Sequence, residues 1–378
     1  MIPFNKPFVS ENSLEYATKV LSSTHQHGDG EFTKTASKMI SNLVGGGNVL
    51  LTPSCTDALE LAALLGDFKP GDEIILPTFT FTSAAISITK LGLIPVFVDI
   101  DPITLGIDVV QVKKALTEKT VGISWVNYAG VVPDIEELQS VASFENLILF
   151  EDNAHSLGGT FKKQKLGSFG DFATQSFHAT KNIQCGEGGA LIINNPKYIE
   201  RAEIIREKGT NRAKFLRGDV QKYEWVDQGS SFLLAEVLSG ILTAQLEQFS
   251  NIQLLRRTIW EKYYFELAGL TKLRIASRAN AESLSETAHM FYFMAKSPKE
   301  RDDFLTFMSA VSIYCAFHYQ CLHNSKAGKK LGRADQTYVN AQNASSLIVR
   351  IPLYPHLLTH EIDFIISRIL EFESSQGV

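Results

Sequence analysis

Lys181 stands in the run Ser176-Phe177-His178-Ala179-Thr180-Lys181-Asn182, shortly ahead of Gly186-Glu187-Gly188-Gly189-Ala190. The pattern predicts a strand that ends in a lysine-bearing turn, then a glycine bend into another strand. A lysine held on such a backbone is partly kept from water, which lowers its pKa and makes the amine nucleophilic toward an aldehyde. Taken alone it is one of 36 lysines and arginines, most of which are solvated surface charges. A second candidate is Asp152, in Leu149-Phe150-Glu151-Asp152-Asn153-Ala154-His155. An apolar strand running into an acidic pair places Asp152 at the carboxyl end of a sheet. A carboxylate there can pair with a protonated pyridine nitrogen, or can simply cap a turn. His155 could hydrogen-bond a ring oxygen or pack.

Two further stretches add complementary parts. In Leu51-Thr52-Pro53-Ser54-Cys55-Thr56-Asp57, small hydroxyl residues between a strand and a helix form an anion site from the free N–H groups at the helix start. Cys55 and Thr56 would meet a phosphate there, Ser176 would add a hydroxyl, and Ser54 is also an ordinary N-cap. In Pro77-Thr78-Phe79-Thr80-Phe81-Thr82-Ser83, an aromatic just past a strand can stack on a flat ring, although the default place for such a residue is the core. Phosphate turn, aromatic, acid after a strand and lysine before glycines follow one another along the chain. Together they are the parts of a site for pyridoxal 5'-phosphate (PLP), whose ring serves as an electron sink when its nitrogen is kept protonated.

These residues need strands to hold them. From about residue 30 to 245 the apolar pattern alternates helix and strand. Strands are predicted at 48–51, 73–76, 94–99, 121–126, 147–151, 172–177 and 190–193. Helices are predicted at 32–44, 54–65, 83–91, 109–116 and 135–142. Short strands apolar on both faces, separated by amphipathic helices, give an α/β fold with a mostly parallel sheet covered on both sides. Ligands of such sheets lie beyond the carboxyl ends of the strands, where the residues above fall. A long helical stretch over 232–267 is predicted to break near Ser250-Asn251. Beyond it, strands at 289–295 and 313–318 and helices at 299–310 and 360–372 indicate a smaller α+β unit, with 276–287 as a loop. The expected division is a large domain over 1–248 and a small one over 249–378.

At 378 residues the chain is long enough for two such units. Its net charge of −5 offers no basic field for a nucleic-acid backbone, so no DNA or RNA partner is expected. Cys55, Cys185, Cys315 and Cys321 show no metal-ligand spacing, and no metal is expected. With no signal-peptide pattern at the start and no apolar run of spanning length, a soluble cytoplasmic protein and no membrane contact are expected.

The quoted motifs resemble the DegT/DnrJ/EryC1/StrS sugar aminotransferases over essentially the whole chain. Leu50–Thr56, Ser176–Asn182, Phe317-His318-Tyr319 with His323, and above all Arg206-Glu207-Lys208-Gly209-Thr210-Asn211-Arg212 resemble the branch that makes dTDP-4-amino-4,6-dideoxygalactose. The resemblance implies the fold-type-I PLP-transferase architecture and a homodimer whose active site lies between subunits. It implies glutamate as amino donor and dTDP-4-keto-6-deoxyglucose as acceptor. Lys181 would link to the cofactor and shuttle the proton. Asp152 would pair with the ring nitrogen, His155 would lie beside the ring oxygen, and Phe81 would stack on the ring. Cys55, Thr56 and Ser176 would hold the phosphate, with Tyr319 and His323 near the nucleotide sugar. Ser231 stands where many members carry an asparagine donated to the neighbouring subunit's phosphate, and Cys321 where proline is common. A dehydratase of the same family would have histidine in place of Lys181. A regulatory homologue without activity is the other alternative.

Overall fold

The computed structural model describes residues 1–271, 273–275 and 287–375. Seven strands form the central sheet: β1 (Asn48–Thr52), β2 (Glu73–Pro77), β3 (Ile94–Val98), β4 (Thr120–Val126), β5 (Ile148–Asp152), β8 (Phe172–Ser176) and β9 (Gly189–Ile193). A small hairpin of β6 (Thr160–Phe161) and β7 (Gln164–Lys165) lies between β5 and β8 in the chain. The sheet order is β1-β9-β8-β5-β4-β2-β3, and only β9 runs antiparallel to its neighbours. The expected α/β sheet is therefore present, with every predicted strand of this region within two residues of its place.

Local chemistry starts the helices between the strands. Ser54 caps Cys55–Leu65 by accepting from the Asp57 N–H, Asp108 caps Val109–Ala115, and Asp134 caps Ile135–Glu145. Apolar side chains fill both faces of the sheet. Leu76, Phe97, Phe150 and Phe172 pack under Cys55–Leu65 and Thr82–Thr89 on one side. Ile75, Val96, Ile123 and Leu149 pack under Val109–Ala115 and Ile135–Glu145 on the other. Strand alternation thus sends neighbouring residues to opposite layers.

The second sheet orders β10 (Arg274–Ile275), β11 (Phe291–Met294) and β12 (Ile348–Ile351), all antiparallel. Here two expectations need correction. Residues 313–318 are not a strand: they touch β12 through the single bridge Ala316–Arg350. The Arg350 guanidinium then takes the Phe317 carbonyl, at 2.8 Å from Nη2, so a ladder has no acceptor to continue on. The third strand is instead Ile348–Ile351. The long helix breaks at Gln248, between Glu236–Glu247 and Phe249–Glu266, and residues 232–235 precede it without helical structure. Most of the loop expected at 276–287 lies outside the described residues. Among the described residues no helix is long and apolar enough to cross a membrane, and no group of acidic, His or Cys side chains could hold a metal.

Candidate active site

The ends of β1, β5 and β8 meet the start of the helix Cys55–Leu65. β9 lies between β1 and β8, and Thr52 pairs with Gly189. A Cβ at Gly189 would lie 2.4 Å from the Cys55 nitrogen, so only glycine lets the strand and the helix start approach this closely. The Ser54 cap satisfies Asp57 and leaves the first helical N–H groups, those of Cys55 and Thr56, at the open end of the helix. The Thr56 hydroxyl lies 2.7 Å from that of Ser83. Burial, with Asp152 next, pushes the Cys55 thiol up to about 12, so it stays protonated.

Lys181 is carried by a tight excursion between β8 and β9. Its N–H donates to the His178 carbonyl at 2.8 Å, and the Ala179 N–H donates to Gly186, whose φ of +87° needs glycine. The side chain is half-buried, with Ser176, Asn182, His155 and His289 around one small cavity. Burial lowers the Lys181 pKa, while the charge of Asp152 and the Cys55 thiol oppose the shift. Desolvation and a carboxylate are what a nucleophilic amine requires.

Asp152 is buried, and its Oδ1 accepts from the Ala154 N–H at 3.1 Å. Burial raises its pKa, with that backbone donor and Lys181 acting in the opposite direction. His155, also buried, receives the Ala129 N–H on Nδ1 at 3.4 Å. An N–H can only donate, so in neutral His155 the proton is on Nε2, which faces the Tyr319 hydroxyl at 3.4 Å. Burial first, then the charge of Lys181, holds His155 well below the usual imidazole range.

Phe81 does not take the default place of an aromatic. It is 56% exposed, with its ring 6.2 Å from that of Tyr319, while Phe79 two residues earlier is fully buried. Tyr319 thus joins the Lys181 group directly, through His155. His323 is placed elsewhere: its Nδ1 lies 2.7 Å from the Thr78 hydroxyl and its ring stacks on Tyr338 at 3.9 Å. Ser231 is exposed and bridges Glu207 through backbone, with no described side-chain contact to the others.

Three participants have no local motif that announces them. His289 stacks on His155 with ring centres 4.4 Å apart. His318 stacks on Tyr319 at 3.7 Å and bonds the Tyr128 hydroxyl at 2.6 Å. Arg350 carries a charge that acts on Lys181, His155 and His318 alike. Only Arg350 had a sequence signal, a cation inside the apolar run Ile348-Val349-Arg350-Ile351.

A buried acid with one backbone donor, a desolvated lysine and an open helix N-terminus are the donor set of a phosphorylated pyridine aldehyde. Residues 7–370 match the DegT/DnrJ/EryC1/StrS aminotransferase family. The chain belongs to that family. Its cofactor is PLP, and the residues just described fit that group. The chain is 26% identical to the spore coat polysaccharide biosynthesis protein SpsC of Bacillus subtilis, over 97% of this chain and 96% of that one. It is 30% identical to the pleiotropic regulatory protein of Geobacillus stearothermophilus, over 84% of this chain and 82% of the other. Among solved structures, Spr1654 of Streptococcus pneumoniae, assigned as a sugar aminotransferase and solved in PMP form, superposes with a TM-score of 0.91 at 26% identity, over 99% of each chain. The fold is thus that of the PLP aminotransferases.

Proposed function

We propose that this aminotransferase moves an amino group from glutamate to a nucleotide-linked keto sugar, with dTDP-4-keto-6-deoxyglucose converted to dTDP-4-amino-4,6-dideoxygalactose. The observation that carries the reading is the Lys181 amine, desolvated and within electrostatic reach of Asp152 beside the N-terminus of Cys55–Leu65. When bound, PLP supplies an aldehyde and a ring that withdraws electrons from the carbon bearing the amino group. The protein does the rest. The N–H groups of Cys55 and Thr56 and the Ser176 hydroxyl bind the phosphate, and Asp152 keeps the ring nitrogen protonated. Phe81 covers a ring face, and the Nε2–H of His155 donates to the ring oxygen. Lys181 takes the proton from the α-carbon of glutamate and, in the second half, returns one to the sugar carbon that receives nitrogen. Tyr319 and His323 line the approach of the sugar.

The proposal includes a cytoplasmic homodimer in which the exposed Ser231 serves the neighbouring subunit's phosphate site. It also includes a division of the chain into 1–248 and 249–378, at the helix break. A dehydratase would need histidine at position 181. A regulatory reading draws on the name of the Geobacillus relative, but a protein that only regulates has no need to keep both Lys181 and Asp152.

Purified protein given PLP should show the visible absorption of a lysine-linked cofactor, and glutamate should bleach it. Added dTDP-4-keto-6-deoxyglucose should restore the band, with the 4-amino galacto product assigned by NMR. Lys181→Ala should remove the band and all turnover. No band in the wild type sinks the aminotransferase reading. A bleached band with a different sugar product sinks only the substrate assignment.

A further inference from the structure

Asn182 directly follows the cofactor lysine, and its side chain leaves the Lys181 loop to meet two distant segments. Its Nδ2 donates to Gln253 Oε1 at 3.0 Å and to the Thr287 carbonyl. Both of its N–H groups are thereby used, so the 2.8 Å contact between Asn182 Oδ1 and His289 Nδ1 has the histidine as donor. This fixes the tautomer: neutral His289 carries its proton on Nδ1 and leaves Nε2 as an acceptor.

His289 is itself held in place. On the helix Phe249–Glu266, buried Arg256 donates from Nε to the Ala288 carbonyl at 3.2 Å and from Nη2 to the His289 carbonyl at 2.6 Å. Trp260 Nε1 donates to the Met290 carbonyl at 3.2 Å. Gln253, Arg256 and Trp260 lie at i, i+3 and i+7 and share one helix face. That face thus grips three consecutive carbonyls and the Asn182 amide. Ala288, at φ +38°, has a backbone conformation that side chains seldom adopt and that these bonds enforce. Arg256 has only carbonyl partners printed for its guanidinium, and burial lowers its pKa to about 9.

We infer that Asn182 and His289 form a positioning pair that sets the Lys181 amine for cofactor capture and proton transfer, with the Gln253–Arg256–Trp260 face as its anchor. The inference rests on the reading of Lys181 as the cofactor lysine. His289 touches the site twice, by donating to Asn182 and by stacking on His155. The donor contact is the one that reaches the lysine's own backbone, so it carries the positioning role.

Three substitutions separate the two contacts. His289→Phe keeps a ring against His155 and removes the donor, His289→Asn keeps an N–H near the Nδ1 position and removes the ring, and Asn182→Ala removes the acceptor. Each full-length protein is stripped of PLP and its melting temperature taken. PLP is then added, and covalent capture on Lys181 is followed by borohydride trapping and mass spectrometry. The glutamate half-reaction is read separately, from the bleaching rate of the visible band.

His289→Phe is expected to slow capture and bleaching by about 10- to 100-fold, with half-saturating glutamate within about twofold, the pattern of a misplaced group and not of lost binding. His289→Asn should recover to within about threefold of wild type. Asn182→Ala should match His289→Phe, and the double variant should lose no more than either alone, as for two halves of one contact. A Phe variant within about threefold of wild type, an Asn variant as slow as the Phe variant, or fully additive losses would each overturn the pair. If His289→Phe does not fold, Asn182→Ala tests the same contact from the other side. Trapping on a residue other than Lys181 in the wild type would instead overturn the reading of the site.

Discussion

Glu151 and Asp152 are consecutive on β5, and the pleat sends them to opposite faces of the central sheet. Both are buried, and burial is the main cause that raises both pKa values. Their partners differ. Glu151 accepts from Asn127 Nδ2 at 2.8 Å, from the Gly167 N–H at 2.7 Å and from the Phe169 N–H at 3.0 Å. Asp152 accepts from the Ala154 N–H and faces Lys181 and Cys55. One carboxylate is saturated by the fold and ties the loop after β7 to the sheet. The other is held short of donors at the mouth of the site, where an incoming cation completes it. A buried charge alone therefore does not mark function; a buried charge with unused acceptor capacity does.

The largest way to break this contrast is to neutralise each acid in turn. Asp152→Asn should lower kcat by about 10³-fold, the upper range for removing one preorganised electrostatic group, with the fold intact by circular dichroism. Steady-state assay with glutamate and a keto sugar would check this. A loss below about tenfold would show that the ring nitrogen has another partner. Glu151→Gln should act on stability instead. Its amide would turn a donor toward one of three donors already aimed at the site, costing about 1–3 kcal/mol. Chemical denaturation would show a lower midpoint at unchanged slope, while kcat per folded molecule stays within about threefold of wild type. If the Gln variant lost activity as the Asn variant does, the division between the two faces would fail.

A smaller effect tests the ring face. Phe81→Ala should weaken PLP retention by about tenfold, the scale of one lost aromatic stack, with little change in melting temperature because Phe81 is already more than half exposed. Dialysis against buffer, followed by residual visible absorption, would measure it. A drop of several degrees would mean that Phe81 acts as core.

How legible this was depends on sequence distance. Strand–helix alternation and N-caps are local, so the central sheet and the positions of Cys55, Asp152 and Lys181 at its edge could be read from short runs of residues. Tyr319 joins His155 across 164 residues and His289 joins Asn182 across 107, and no periodicity reports such contacts. The strand expected at 313–318 failed for a related reason. Its apolar alternation is real, but whether a partner edge continues is settled by the Arg350 side chain, which bonds the Phe317 carbonyl from another segment. Phe81 was legible only by its place among the other cofactor parts, since an aromatic after a strand is usually core, as Phe79 is.

The finest test of the contrast is the pH dependence of stability without cofactor. Asp152 in the folded chain has a pKa above its ordinary value of 3.8, so below that pH the folded and unfolded states are both protonated and no penalty applies. As pH rises through the folded-state value, the unfolded chain releases its proton more readily, and stability from this group is lost. Asp152→Asn removes that dependence. The variant, though nearly inactive, should therefore be more stable than the wild type at pH 7 in the absence of PLP, by about 1–3 kcal/mol on the scale of buried polar groups. The gap should close as pH falls below 4, in denaturant titrations at each pH. Glu151 shifts in the same direction, yet its Gln variant should be the less stable protein at pH 7, because three fixed donors outweigh the relief of charge. Adding PLP should shrink or reverse the Asp152→Asn advantage, since the protonated ring nitrogen gives the wild-type carboxylate the partner it lacks. A wild type more stable than Asp152→Asn without PLP would mean that Lys181 already satisfies the acid, and that the site is preformed as an ion pair.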